Sequence, residues 1–257
     1  DQLTALLAQR EQAATQVEAR STVTGKDAAG KTTYVAADSA VAAAVQAELA
    51  ATNIPWVAIA MGRQSPGTLN VRIDDFAAAK AMTEYLLGLG HRNVAFIRGH
   101  PNQMASEERY RGFAAAMDAA GIDVSTQQVE QGYFTFRSGT VAAERILSLA
   151  ERPTAIFASN DDMAAAAIGV AHRHGLHVPG DLSIVGFDDT ALATNVWPEL
   201  TTIRQPISQM AESAVELLLA RLRARDGATG ETEERVLPFE LVHRESAGVA
   251  WGTGSWP

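Results

Sequence analysis

An α/β fold, with parallel sheets flanked by helices, is what this 257-residue sequence predicts. Three observations carry the prediction. From Ile54 onward short apolar runs alternate with stretches of helical length, the order that builds parallel sheets. Runs such as NVAFIRG, TAIFAS and LSIVGF are apolar almost throughout rather than at every second residue, as strands covered on both faces are. Finally, 47% of the residues are hydrophobic and only 20% charged. That balance supplies a sizeable core, as one large domain or two small lobes, and argues against wholesale disorder.

Taken in order, Asp1–Arg10 places Leu3, Leu6 and Leu7 on one helical face. Residues 11–36 are small, polar and without period, and predict irregular structure. An alanine-rich helix follows over Ser39–Thr52 with Asp38 as its N-cap. Ile54–Ala60 reads as a strand, MGRQSPG as a turn and Leu69–Ile73 as the next strand. Helices over Asp75–Leu89, Glu107–Ala120, Phe136–Leu149 and Asp161–His174 then alternate with strands at Asn93–Gly99, Gln128–Phe134, Thr154–Ser159 and Leu182–Phe187. Thr201–Gln205 reads as a strand leading into a long helix, Ile207–Arg225, and a Gly- and Glu-rich loop precedes VLPFELVHRES.

Composition narrows the function. Without cysteine there is no disulfide framework or thiolate chemistry, which suits a reducing cytoplasm. A net charge of −9 argues against a phosphate-binding surface spread over the whole chain. No apolar run reaches the length of about 18 residues that spans a membrane, and DQLTALLAQREQ lacks the pattern of a signal peptide. His172, His174 and His177 lie close in sequence, but a helix turns the first two to different faces and no carboxylate completes a ligand set. The nucleophile motif G-x-S-x-G does not occur. A non-enzymatic protein without metal or cofactor is expected.

One motif points elsewhere. Gly25–Thr32 satisfies G-x-x-x-x-G-K-[ST], the phosphate-cradling loop. That loop needs a buried strand before it and a helix after it, to aim N–H groups and Lys31 at phosphates. Only Val23 is strongly apolar in the preceding EARSTVT, and Tyr34–Ala37 opens no amphipathic helix. The match is read as accidental, and a nucleotide-binding protein is the least favoured alternative.

In open parallel sheets, ligands sit beyond the carboxyl ends of the strands. Those ends here lead to Gln103 and Arg109, Phe134, Asn160 and Asp188. Amides, a guanidinium, a flat ring and a carboxylate make a binding-site composition. Each has a structural alternative: Arg109 in a surface ion pair, Phe134 in the core, Asn160 as an N-cap and Asp188 in a turn.

The blocks LLGLGHRNVAFIRG, ERYRGF, TAIFASND, DLSIVGFDDT, PELTTIRQP and LVHRES follow one another in register. In them, from about residue 48 to 246, the chain resembles the effector-binding core of the lactose- and galactose-repressor family. The resemblance implies two lobes of the periplasmic-binding-protein type joined by three crossovers. Residues 1–73 plus 205–236 would form the first lobe, 74–204 plus 237–248 the second, and 249–257 a tail. It also implies a small effector, a sugar or related metabolite, held between the lobes of a cytoplasmic homodimer. Effector binding would change lobe closure and reposition paired N-terminal DNA-reading heads.

By the same resemblance Arg109 is an effector-binding arginine and Asp188 accepts hydrogen bonds from ligand hydroxyls. Gln205 serves a crossover, and Asp189 caps local backbone. Replacing Arg109 or Asp188 is expected to leave stability nearly unchanged, because strand-end residues carry modest packing. Two departures stand out. The chain begins after the family's helix-turn-helix, so operator DNA is reached only through a missing N-terminal head. The opening strand, helix and strand of the core are absent as well, with EQAATQVEARSTVTG where an apolar strand belongs, so the first lobe is read as incomplete. An extracytoplasmic solute-binding protein of a transporter is the alternative; PELTTIRQP and the missing signal peptide favour the regulator.

Overall fold

The computed structural model describes residues 56–60, 68–223 and 232–250, and the backbone of two short strands, β1 (Gly25–Lys26) and β2 (Thr32–Thr33). Two compact units divide the chain, Asp1–Ile54 and Pro55–Pro257. In the first, β1 and β2 pair antiparallel, with Gly25 opposite Thr33. A phosphate-cradling loop requires a helix where Thr32–Thr33 is a strand, so the motif match has the wrong local structure for that chemistry. The helices expected over Asp1–Arg10 and Ser39–Thr52 lie outside the described residues, as does most of 11–36.

The second unit runs β3 (Val57–Ile59), β4 (Leu69–Ile73), α1 (Asp75–Gly88), β5 (Val94–Arg98), α2 (Met104–Ala119), β6 (Val129–Gln131) and α3 (Phe136–Leu147). It continues with β7 (Ala155–Ala158), α4 (Asp161–Arg173), β8 (Ser183–Val185), α5 (Leu192–Asn195), β9 (Thr202–Arg204), α6 (Ile207–Arg223), β10 (Glu233–Leu237) and β11 (Glu240–Val242). One parallel sheet has the order β10-β4-β3, another β6-β5-β7-β8. Parallel bridges Val185–Thr201 and Asp188–Arg204 join β8 to β9, and β9 pairs antiparallel with β11. The chain therefore passes between the sheets three times: through α1, through α6 and at Pro238–Phe239.

Strand periodicity assigns each side chain to a face. On β5, Val94 and Phe96 join a core with Met82 and Leu86 of α1 and Phe113 and Met117 of α2. Ala95 and Ile97 point the other way, toward Ala143 and Ile146 of α3 and Met163 and Ala167 of α4. β7 repeats the division, with Phe157 on the first face and Ile156 on the second. Helices cover both faces, as the apolar strands required. Leu69, Val71 and Ile73 of the other sheet and Met210, Ala214 and Leu217 of α6 join the first core, which is thus continuous across both sheets.

Helix ends follow their caps. Asp74 accepts from the backbone N–H of Ala77 at 2.9 Å and opens α1, and Thr135 with Ser138 closes a capping box on α3. α2 begins at Met104 rather than Glu107, and its N-cap Gln103 makes no side-chain cap. It stops at Ala119, two residues before Gly121, whose φ of 71° suits a residue without Cβ. β10 begins at Glu233, within the stretch that composition assigns to a loop. Among the described residues it pairs only with β4, at one end of the strand order. Pro238 then separates β10 from β11, since proline cannot donate to a ladder.

Candidate effector-binding site

Parallel strands deliver their carboxyl ends to one edge of the sheet, and the helices that follow begin there. Arg109, on the buried face of α2, spans that edge with a side chain only 6% exposed. Its Nε donates to Asp75 Oδ1 at 2.8 Å, and its Nη1 donates to the Ser159 carbonyl at 2.6 Å. Nη1 also lies 3.4 Å from Asp188 Oδ1. Beneath the guanidinium is the Phe187 ring, 3.6 Å from its carbon to the centroid; the Phe134 ring lies at 5.7 Å. A planar cation thus sits on an aromatic face between two carboxylates, an arrangement that holds it flat.

Asp188 follows β8 in a corner where it has φ 110° and Asp189 φ 54°. Its amide donates to the Ile203 carbonyl at 2.8 Å, and Oδ1 accepts from Gln205 Nε2 at 2.7 Å. Burial pushes its carboxyl above the usual carboxylate range, against the pull of Arg109 and the Gln205 hydrogen bond. Behind it Asp161, the first residue of α4, is fully buried. Its Oδ1 accepts from Thr202 Oγ1 at 2.6 Å and its Oδ2 from the Thr190 amide at 2.7 Å. Burial still raises the Asp161 carboxyl to about 6, with the nearby Asp188 adding to the rise.

The other expected site residues divide. Asn160 caps α4 by accepting from the Met163 amide at 3.0 Å, while its Nδ2 donates to the Phe134 carbonyl at 3.1 Å. Both ends of its amide therefore serve the fold. Phe134, at φ 58°, lays its ring over Gly99, where a Cβ would collide with it. Gln103 is exposed at the start of α2, outside the contacts that join the others. Asp189 does not cap backbone: its carboxylate binds Arg204 and Arg244. Sequence reasoning missed Asp75, Ser159 and Phe187. Only Phe187 carried a signal, being the last apolar residue before Asp188. Asp75 also lines a cavity of about 340 Å³, together with Arg72, Asp74, Phe76, Glu108 and Arg111.

Residues 83–247 match the periplasmic binding protein-like domain. The HTH-type transcriptional regulator DegA of Bacillus subtilis is 38% identical over 199 residues, 77% of this chain and 58% of its own. A LacI transcriptional regulator from a Rhodococcus species, solved as a crystal structure, is 33% identical with a TM-score of 0.72, over 80% of this chain and 74% of its own. This chain belongs to the LacI family. Its parallel sheets flanked by helices are the family's periplasmic-binding-protein-like fold, and its residues correspond to the effector-binding core of a LacI-family regulator. A LacI-family regulator from Enterococcus faecium, solved with bound ribose, has a TM-score of 0.74 at 28% identity, over 83% of this chain and 78% of its own. The chain spans 58% of the length of DegA. Among the described residues no helix is long and apolar enough to cross a membrane.

Proposed function

We propose that this chain is the small-molecule-sensing part of a transcriptional regulator, with Arg109 and Asp188 as the polar clamp on its effector. The observation that carries the proposal is the buried Arg109 guanidinium at the strand ends, stacked on Phe187 and facing Asp188. Asp188 keeps 28% of its side chain exposed, so its remaining lone pairs are open to hydroxyls. The effector is a neutral sugar or related metabolite, as the ribose in the Enterococcus faecium relative supports. It lies between two lobes, 1–73 plus 205–236 and 74–204 plus 237–248, of a cytoplasmic homodimer without catalytic function. Operator DNA is read by a separate head, and effector binding changes lobe closure. Phe134 flanks the ligand, Asn160 supports Phe134 from behind, and Gln103 reaches the cleft from its rim.

The test is a thermal-shift and calorimetric screen of neutral pentoses, hexoses and disaccharides, ribose and cellobiose among them. A hydrogen bond to a charged group contributes roughly 1.5–3 kcal/mol, and each 1.4 kcal/mol is about tenfold in affinity. Asp188→Ala is expected to weaken the sugar that binds by about ten- to a hundredfold. Arg109→Lys is expected to do the same, because an ammonium cannot reproduce the fork. Arg109→Ala is not the neutral change that strand-end position predicted. It leaves Asp75 buried without its partner, and breaking a buried pair costs about 3–5 kcal/mol. Sugar affinity unchanged in Asp188→Ala and Arg109→Lys, with melting temperatures intact, would refute the clamp.

A further inference from the structure

Among the described residues Asp189 forms no hydrogen bond or ion pair with Arg109, yet its carboxylate is held by two arginines. Only 8% of the side chain is exposed. Oδ2 accepts from Arg204 Nε at 2.6 Å, and Oδ1 accepts from Arg244 Nη2 at 2.6 Å. Both arginines are themselves anchored. Arg244 donates Nη1 to the Leu200 carbonyl at 2.7 Å and its amide to Thr201 Oγ1 at 2.9 Å. Arg204, on β9, donates Nη1 to Glu240 of β11 at 2.7 Å. The corner after β8, the strand β9 and the segment after β11 therefore meet on one carboxylate.

The corner needs such a hold. Asp188 and Asp189 are consecutive residues with side chains at φ 110° and 54°, a backbone that L side chains adopt only when their surroundings enforce it. Asp188 itself is held by its amide on Ile203, by Gln205 at 2.7 Å and by the longer contact to Arg109, none of which fixes the backbone of Asp189. We infer that Asp189, gripped by Arg204 and Arg244, is a positioning residue of the effector site, holding the strained corner that aims Asp188 at Arg109. Its bearing on effector binding rests on the reading of Asp188 as an effector contact; the positioning itself does not. Because β9 leads into α6 and β11 follows β10, the same carboxylate ties the site to two of the three passages between the sheets.

The experiment is a carboxyl-carbon NMR titration of the whole chain labelled at aspartate, with Asp188→Asn to assign the Asp188 signal. The neighbours that act on Asp188, namely Arg109, Gln205, Asp75 and Asp162, stay unaltered in every variant, as does Asp161. In the wild type Asp188 should titrate above the ordinary aspartate value of about 3.9. In Asp189→Ala, and in Arg204→Met with Arg244→Met, it should fall to that value as the carboxyl turns into water. Arg244→Lys, which keeps a cation on Asp189, should retain most of the elevation. Should Asp189→Ala not fold, Arg204→Met alone gives the same readout, since that arginine is half exposed. An Asp188 titration unmoved by these variants, whether or not their melting temperature falls, overturns the proposal. If Asp188 shifts as expected while no sugar binds even the wild type, the positioning stands and the effector assignment fails.

Discussion

Burial sets the charge behaviour of Asp161, whose carboxyl rises from an ordinary 3.8 to about 6. The folded chain then binds a proton that the unfolded chain has released, between about pH 4 and pH 6. The sign follows: this group favours folding at the acid end of that window, and the contribution is lost as pH rises through about 6. Asp161→Asn removes the titration while its amide can still serve Thr190 and Thr202. Melting temperature measured from about pH 4 to 7 should therefore rise for the variant relative to wild type as pH increases; parallel curves would show that Asp161 is not perturbed. Nothing in the sequence marks this residue apart from Asp162 beside it. Arg109 and Asp188 were legible, because a motif and a strand end each point at one residue. Asp75 was not, since it meets Arg109 only once α1 and α2 are packed.

Helix α1 lies against α2 so closely that Gly112 fits where alanine cannot. A Cβ there would strike the Phe76 carbonyl and come within 2.9 Å of the Lys80 amide, both backbone atoms that cannot rotate away. Gly169, inside α4, has no atom within 4 Å of the same position. Two glycine-to-alanine changes should therefore have opposite signs. Gly112→Ala forces the helices apart, an overpacking cost of about 1–3 kcal/mol, whereas Gly169→Ala gains about 1 kcal/mol of helix propensity. At roughly 2–4 °C per kcal/mol in a chain of this size, thermal melts resolve the two. A stable Gly112→Ala variant would contradict the close approach of α1 and α2. Both glycines read alike as sequence, because each interrupts a helical pattern without a cap. Packing alone separates them. The short helix α5 was missed for a related reason: four residues carry no period that a sequence can show.

Across the whole described structure, Phe96 is one of the largest fully buried side chains of the core that both sheets share. It stacks on Phe113 at 4.8 Å, meets Phe157 edge-on at 5.2 Å and belongs to the cluster that includes Leu69, Val71 and Ile73. Phe96→Ala should cost about 3–5 kcal/mol and lower one cooperative denaturant transition, with circular dichroism and tryptophan fluorescence still coincident. A variant that unfolds in two separated steps would mean that the sheets hold separate cores. The sequence alone established the class of fold and the order of the longer strands and helices from Ile54 onward, because apolar strands and capped helices are local patterns that burial enforces residue by residue. It determined that Arg109 and Asp188 face one edge, because parallel strands share a direction. What surrounds them came from packing alone. Asp75 reaches Arg109 from 34 positions away in the chain, and Arg244 reaches Asp189 from 55. Partners so distant in sequence leave no period or spacing to read; they are selected when helices and strands pack and each buried charge must find its opposite.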